Sequence, residues 1–147
     1  MRLSQHFALD EFTLSQTAVR LGTDNTPPAD AIENLRALAA FLEDIRDNFQ
    51  SPIIISSGYR NAAVNAAVGG AKNSAHMSGL AVDFTIPGYG PPLAVAKSIA
   101  KSDLQFDQLI HEFGRWVHVA IAPPGKTPRR DVLSIRSAAE GYIPGLR

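Results

Sequence analysis

Three side chains in the second half of the chain have the types and spacing of a metal site: His76, Asp83 and His118. On one straight strand, His76 and Asp83 would lie roughly 23 Å apart, at ~3.3 Å per residue. They meet only if the chain turns between them, and Ser78-Gly79 predicts a turn because glycine adopts backbone angles that other residues resist. Two imidazoles and one carboxylate leave a fourth tetrahedral position open for water, as in a catalytic zinc site.

Two segments of alternating hydrophobicity are expected to position Asp83 and His118. In residues 80–86, large apolar residues alternate with small or polar ones, which predicts a strand with Asp83 on an open face. The segment from Trp116 repeats the pattern and places His118 in the same way. If the strands are antiparallel neighbours, the two side chains lie about 5 Å apart at Cβ, and His76 on the preceding loop completes the set. An ion with one anionic ligand stays positively charged, so it can acidify water and polarise a carbonyl.

The elements around these residues follow from periodicity and capping signals. Apolar residues at steps of three and four predict a long helix that Thr26 caps and that ends near Asn48. We further predict helices at Asn61–Val68 and Pro92–Lys101, and strands at Ile53–Ile55, Ala81–Ile86, Gln108–Phe113, Trp116–Ala122 and Val132–Ile135. Helices followed mainly by strands indicate an α+β fold, with a mainly antiparallel sheet and helices packed on one side.

Length and composition exclude several classes of protein. The 147 residues predict one domain, residues 1–147. The absence of cysteine excludes a disulfide framework, a thiolate zinc site and a cysteine nucleophile. With 14 basic and 14 acidic residues, no basic field exists to bind nucleic acid. No apolar run has the length of a membrane span, and Asp10 and Glu11 interrupt the N-terminal segment, so we expect no signal peptide and synthesis in the cytoplasm.

Three ordered motifs resemble one family. The segment SAHMSGLAVDF fits S-x-H-x-x-G-x-A-x-D from Ser74 to Asp83, WVHVA contains His118, and SSGYRN contains Arg60. Together they resemble the zinc D-alanyl-D-alanine carboxypeptidases and related bacteriophage endolysins, which share a fold with lysostaphin-type peptidases and hedgehog. The resemblance spans roughly residues 3–124.

The resemblance implies a role for each matching residue. His76, Asp83 and His118 would bind one Zn²⁺ per chain. Arg60 would contact the substrate or the developing oxyanion, which suits a guanidinium because it forms paired hydrogen bonds; the alternative is a surface salt bridge. Ser74 would hydrogen-bond the substrate, and the alternative is a turn residue.

The general base departs from the family patterns. Several relatives have an acidic residue three positions before the last histidine, where this chain has Arg115, and others have a histidine two positions before it, where this chain has Trp116. Nearby alternatives are Glu112, His111 and Asp107. We favour Glu112, which ends a predicted strand, because a carboxylate near the metal can take a proton from water and later deliver it to the leaving amine. Trp116 shares a face with His118 and is expected to form a wall of the cleft; the alternative is a residue at its rim.

The resemblance thus implies a zinc metallopeptidase that hydrolyses the peptide stems of bacterial peptidoglycan, with D-Ala-D-Ala, or a related stem or cross-link bond, as the expected bond. The expected protein is a monomeric phage endolysin that a holin or a similar partner releases to the cell wall. A virion-associated enzyme and a host cytosolic enzyme are the alternative settings. One alternative is an L-alanyl-D-glutamate endopeptidase. Another is a non-catalytic, zinc-stabilised domain that binds the cell wall or has a structural role in a phage.

Overall fold

The computed structural model describes residues 1–147 as helices on a six-stranded sheet. The helices are α1 (Leu9–Thr13), α2 (Gln16–Leu21), α3 (Ala29–Phe49), α4 (Ala62–Ala67) and α5 (Pro92–Lys101), with a 3-10 helix at Ala75–Ser78. The strands are β1 (Ile54–Ser57), β2 (Ala81–Thr85), β3 (Gln108–Glu112), β4 (Trp116–Ala120), β5 (Asp131–Ile135) and β6 (Tyr142–Pro144).

The sheet has the strand order β1-β2-β4-β3-β5-β6. Every neighbouring pair is antiparallel except β3 and β5, which are parallel. This architecture confirms the predicted α+β class and the mainly antiparallel sheet. β2 and β4 are direct antiparallel neighbours, which confirms the predicted pairing of the strands that carry Asp83 and His118.

One face of the sheet carries the main core. Helix α3 contributes an apolar stripe to it, in which Leu35, Leu38, Leu42 and Ile45 have no exposed surface. This stripe belongs to the same buried cluster as Val95 and Ile99 of α5 and as Val82, Phe84, Leu109, Val117 and Val119 of the sheet. Because strand side chains alternate between faces, this packing directs the intervening residues of β2 and β4 to the opposite face.

The helix and strand boundaries correct several details of the sequence prediction. Thr26 does not cap α3, because its backbone N–H and its hydroxyl both donate to Asp24 Oδ1, at 2.9 and 2.6 Å. The helix begins after Pro28 instead. The predicted strand from Ile53 begins one residue later, and α1, α2, the 3-10 helix and β6 were not predicted. None of the helices combines the length and the hydropathy needed to cross a membrane.

Candidate metal centre

His76, Asp83 and His118 converge on the sheet face opposite the main core. One ligand atom from each lies within 4.8 Å of the other two. Asp83 Oδ1 is 3.3 Å from His76 Nε2 and 3.0 Å from His118 Nδ1. Two ligands of a tetrahedral zinc ion, each about 2.0 Å from the metal, are about 3.3 Å apart. The separations therefore fit a single ion bound by two imidazoles and one carboxylate.

Strand register sets the position of two of these side chains. Asp83 on β2 lies directly opposite His118 on β4 in the antiparallel ladder, and side chains at such positions project from the same face. The prediction of an open face is wrong, because Asp83 is only 5% exposed and His118 only 8%. The 3-10 helix and the loop that contains Arg60 cover it, and this burial increases the electrostatic effect of every charge in the site.

His76 reaches the cluster from the 3-10 helix. The hydroxyl of Ser74 caps this helix by accepting a hydrogen bond from the backbone N–H of His76, at 3.2 Å. Gly79 ends it with φ of +74°, and a Cβ there would lie 2.7 Å from the carbonyl oxygen of Ala31 in α3. The glycine of the motif is therefore needed both for its backbone angle and for the close approach of α3.

A carbonyl group fixes the orientation of the His76 ring. His76 Nδ1 donates to the carbonyl oxygen of Gly58 at 2.7 Å, so Nε2 carries the lone pair in the neutral ring. His76 Nε2 is buried without a hydrogen-bond partner and points toward Asp83. An unpaired buried nitrogen costs free energy unless something binds it, and a metal ligand oriented by a carbonyl is common at zinc sites. These features fit a zinc ion better than a structural histidine.

The S-G-Y-R segment is held in place by α1. A Cβ at Gly58 would lie 2.6 Å from the Cα and from the carbonyl oxygen of Phe12, so only glycine fits there. The next residue, Tyr59, donates its backbone N–H to the Phe12 carbonyl at 2.7 Å, and Arg60 donates its backbone N–H to the His76 carbonyl at 3.1 Å. The segment thus links α1 to the 3-10 helix.

Asn25 is a residue of this region that the sequence analysis missed. It is 8% exposed, and its side-chain amide donates to the carbonyl oxygens of Thr13 and Tyr59, both at 3.0 Å. Its side-chain oxygen accepts from the backbone N–H of Asn61 at 2.9 Å. Asn25 therefore forms hydrogen bonds with the residues immediately before and immediately after Arg60. No local pattern marks an asparagine that bonds to residues more than 30 positions away.

Arg60 lies beside the three predicted ligands. Its Nη2 is 4.0 Å from Asp83 Oδ2, and its side chain is 13% exposed, so the alternative of a surface salt bridge does not describe it. Its Nε is buried without a hydrogen-bond partner. Burial lowers the pKa of Arg60 from its ordinary value, against the opposing charges of Asp83 and Glu112. A guanidinium with an unpaired buried donor is suited to bind a carboxylate or a developing oxyanion.

Glu112 is the second carboxylate at the site. Its Oε2 lies 3.9 Å from His118 Nδ1, and its Oε1 accepts a hydrogen bond of 2.8 Å from Nε1 of Trp116. Trp116 lies directly opposite Glu112 in the β3–β4 ladder. Burial raises the pKa of Glu112, and the negative charge of Asp83 raises it further. A carboxylate with a raised pKa next to a metal site is suited to accept and return a proton.

The other two base candidates lie elsewhere. His111 is on the opposite face of β3 from Glu112, and its Nδ1 is 3.0 Å from the carbonyl oxygen of Arg147. Asp107 accepts two hydrogen bonds from the guanidinium of Arg129, at 3.1 and 2.9 Å. Of the three, the structure brings only Glu112 to the ligand cluster.

The buried charges of the cluster shift one another's pKa values. Burial alone would raise the pKa of Asp83, but the two imidazoles hold it well below its usual range. Burial lowers the pKa of His76, which favours the neutral ring that binds metal. Burial alone would also lower the pKa of His118, but the hydrogen bond and charge of Asp83 outweigh it and raise the pKa. The site thus contains an ionised aspartate beside two imidazoles, and carboxylate and neutral imidazole are both ligand types that Zn²⁺ takes.

A comparison with protein families gives an independent result. The family model described as Peptidase M15 matches residues 5–120, which include every motif described above. A comparison with curated proteins finds no significant match. The family is one of zinc-dependent metallopeptidases, and the geometry of His76, Asp83 and His118 agrees with that chemistry. The chain therefore belongs to the peptidase M15 family.

Proposed function

We propose that this protein is a zinc-dependent hydrolase that cleaves the peptide stems of bacterial peptidoglycan, with D-Ala-D-Ala as its scissile bond. The observation that carries the proposal is the convergence in one buried site of three ligand atoms, the guanidinium of Arg60 and the carboxylate of Glu112. A ligand cluster alone can be structural. An adjacent base and an adjacent anion-binding group are what hydrolysis of an amide requires in addition.

His76, Asp83 and His118 hold the ion in this proposal. When bound, Zn²⁺ supplies Lewis acidity, which lowers the pKa of water and polarises a carbonyl group. Glu112 accepts the proton of the attacking water and delivers it to the nitrogen of the leaving amine. The raised pKa of Glu112 suits both steps, since a base of moderate strength can also act as the acid.

Arg60 is proposed to bind the negative charge of the substrate or of the tetrahedral intermediate. The carboxylate of Asp83 lies near the guanidinium, at 4.0 Å between Nη2 and Oδ2, and its charge favours the protonated Arg60. Trp116 is proposed to form a wall of the cleft and to hold Glu112 through its indole N–H. Ser74 is proposed as a substrate contact, in addition to capping the helix of His76.

The biological setting is proposed from the resemblance of the motifs to small phage endolysins. In this setting the protein acts as a monomer at the bacterial cell wall. A holin or a similar partner releases it from the cytoplasm of the infected cell.

Digestion of purified muropeptides tests the proposal. The zinc-loaded protein is incubated with muropeptides that end in D-Ala-D-Ala, and the products are weighed by mass spectrometry. Loss of one alanine supports the carboxypeptidase. Cleavage between L-Ala and D-Glu identifies an endopeptidase and overturns the proposed bond, whereas binding without cleavage identifies a wall-binding domain. Lack of both at full zinc occupancy would overturn the function altogether.

A further inference from the structure

The sheet continues beyond the residues that the family model matches. Strands β5 and β6 lie after residue 120, and they add to the sheet on the far side of β3. They bring one exposed aromatic residue, Tyr142, to the edge of the sheet. Tyr142 is 57% exposed, whereas Tyr59 beside the site is 8% exposed.

Strand register places Tyr142 in the same row of residues as Glu112. Glu112 lies opposite Ile135 in the parallel β3–β5 pair, and Ile135 lies opposite Tyr142 in the antiparallel β5–β6 pair. Paired residues project from the same face, so Tyr142 is on the face that carries the ligand cluster. Two strand spacings separate the backbones of Glu112 and Tyr142, which is about 10 Å. Glu112 and Tyr142 therefore flank the Ile135 position of β5 on this face.

The residue between Glu112 and Tyr142 is apolar and buried. Ile135, between Glu112 and Tyr142, is 8% exposed and is not part of the main core. Ile110, one row away on β3, is 3% exposed and is also outside the main core. An apolar floor between two polar side chains is typical of a small-molecule or peptide site, in which a few polar groups fix orientation.

The charges of the site affect the pKa of Tyr142. Burial raises its pKa, and the negative charges of Glu112 and Asp83 raise it further, whereas Arg60 acts in the opposite direction. The hydroxyl therefore keeps its proton at neutral pH and can donate a hydrogen bond. A peptide stem offers carbonyl and carboxylate oxygens as acceptors.

We infer that Tyr142 is a substrate-contacting residue, whose hydroxyl donates a hydrogen bond to a carbonyl or carboxylate oxygen of a peptide bound across Ile135. The C-terminal strands would then supply one side of the cleft, and Glu112 and Trp116 the other. This inference rests on the proposed function, since it takes the peptide stem as the ligand. It assigns Tyr142 to ground-state binding and leaves the chemical step to Glu112.

Steady-state kinetics on the muropeptide tests the inference. Removing one hydrogen bond in Tyr142→Phe is expected to raise KM roughly three- to tenfold with little change in kcat. Tyr142→Ala is expected to raise KM further, since it also removes the aromatic ring. Tyr89→Phe is the matched control, because Tyr89 packs on Phe49 with ring centroids 4.5 Å apart, away from the site. Zinc content and thermal melting are measured for each variant to show that the fold and the metal are retained.

Direct binding separates failure of the inference from failure of the proposed function. Trp116 is the only tryptophan of the chain, so its fluorescence reports binding of the muropeptide to the zinc-loaded protein. A wild type that cleaves or binds the muropeptide, with Tyr142→Phe and Tyr142→Ala unchanged in KM and in affinity, would overturn the inference alone. Loss of kcat at constant KM would overturn it as well. A wild type that neither binds nor cleaves the muropeptide overturns both.

Discussion

The indole Nε1 of Trp116 donates a hydrogen bond of 2.8 Å to Oε1 of Glu112, from the position directly opposite on the neighbouring strand. This bond occupies one oxygen of the carboxylate and directs the other toward His118, at 3.9 Å. The indole on β4 thus holds a carboxylate that comes from the adjacent strand β3.

Trp116→Phe tests this arrangement. Phenylalanine keeps an aromatic wall but removes the donor to Glu112, and a hydrogen bond to a charged group contributes about 1.5–3 kcal/mol. We expect kcat on the muropeptide to fall roughly tenfold, with zinc content unchanged. A variant as active as the wild type would show that Glu112 is positioned without the indole.

Glu112→Gln tests the proposed base. Glutamine has nearly the same shape and its oxygen can still accept from Trp116, but it cannot take up a proton. Because general acid–base catalysis contributes typically 10²–10⁴-fold, we expect kcat to fall by roughly that factor while zinc is retained. Glu140→Gln is the control, since Glu140 pairs with Arg136 at an exposed position. Equal turnover by the two variants would assign the proton transfer to another group.

His76→Ala tests the metal site by elemental analysis. We expect the wild type to contain one zinc ion per chain and the variant to lose it, since two remaining ligands hold zinc poorly. Zinc at about 100 times its Kd is expected to stabilise the wild type by about 2.7 kcal/mol, seen as a higher Tm, but not the variant. His6→Ala is the matched control, because His6 pairs with Glu43 at an exposed position. Equal zinc in both variants would contradict the assignment.

Gly58→Ala tests the link between α1 and the ligands. The added Cβ would lie 2.6 Å from the backbone of Phe12, and such overpacking destabilises by roughly 1–3 kcal/mol. Zinc affinity is expected to fall as well, because the Gly58 carbonyl orients His76. At Gly90 the nearest atom, Cβ of Ala94, is 3.7 Å from an added Cβ, so Gly90→Ala is expected to unfold like the wild type. Denaturant unfolding of both variants measures the difference.

Asp107→Asn tests a pH-dependent contribution to stability. The hydrogen bonds from Arg129 lower the pKa of Asp107 in the folded protein. A lowered pKa means that the ionised form contributes stability above the unfolded pKa, about 3.9, and that this contribution is lost as the pH falls. We expect the variant to be less stable by up to about 1 kcal/mol at pH 7 and the difference to shrink as the pH falls below about 3.9, through the lowered pKa of the folded protein. A constant difference over this range would show that the charge is not its cause, and Glu33→Gln serves as the exposed control.

The alternation of apolar and polar residues was sufficient to predict the relative placement of the site residues that lie on regular strands. The alternation around Asp83 and His118 predicted their shared face, and the ladder places them opposite each other. It predicted the wrong exposure for Asp83, because the cover comes from the loop of Arg60, which is distant in sequence. Long-range contacts account for the other omissions as well. Asn25 bonds to residues on two separate segments, and only the register of three strands places Tyr142 on the sheet face of the ligand cluster.

The predicted start of α3 was wrong because a local hydrogen-bonding alternative replaces the predicted helix cap. Thr26 has the side chain of a helix cap, but Asp24, two positions earlier, accepts from both its hydroxyl and its N–H. Threonine and aspartate form such local bonds in turns as readily as at helix ends. A sequence does not rank these alternatives, because Thr26 and Asp24 are both suited to a turn and the helix begins only after Pro28.

The parallel pairing of β5 with β3 has a consequence for solubility. Without β5, the unpaired N–H and carbonyl groups of β3 would form an exposed border rich in apolar residues, among them Leu109 and Ile110. Such borders recruit strands of other molecules and promote aggregation. Strand β5 pairs with this edge of β3, and β6 becomes the new edge of the sheet. Because β6 has only three residues and ends with Pro144, it disfavours the addition of another strand.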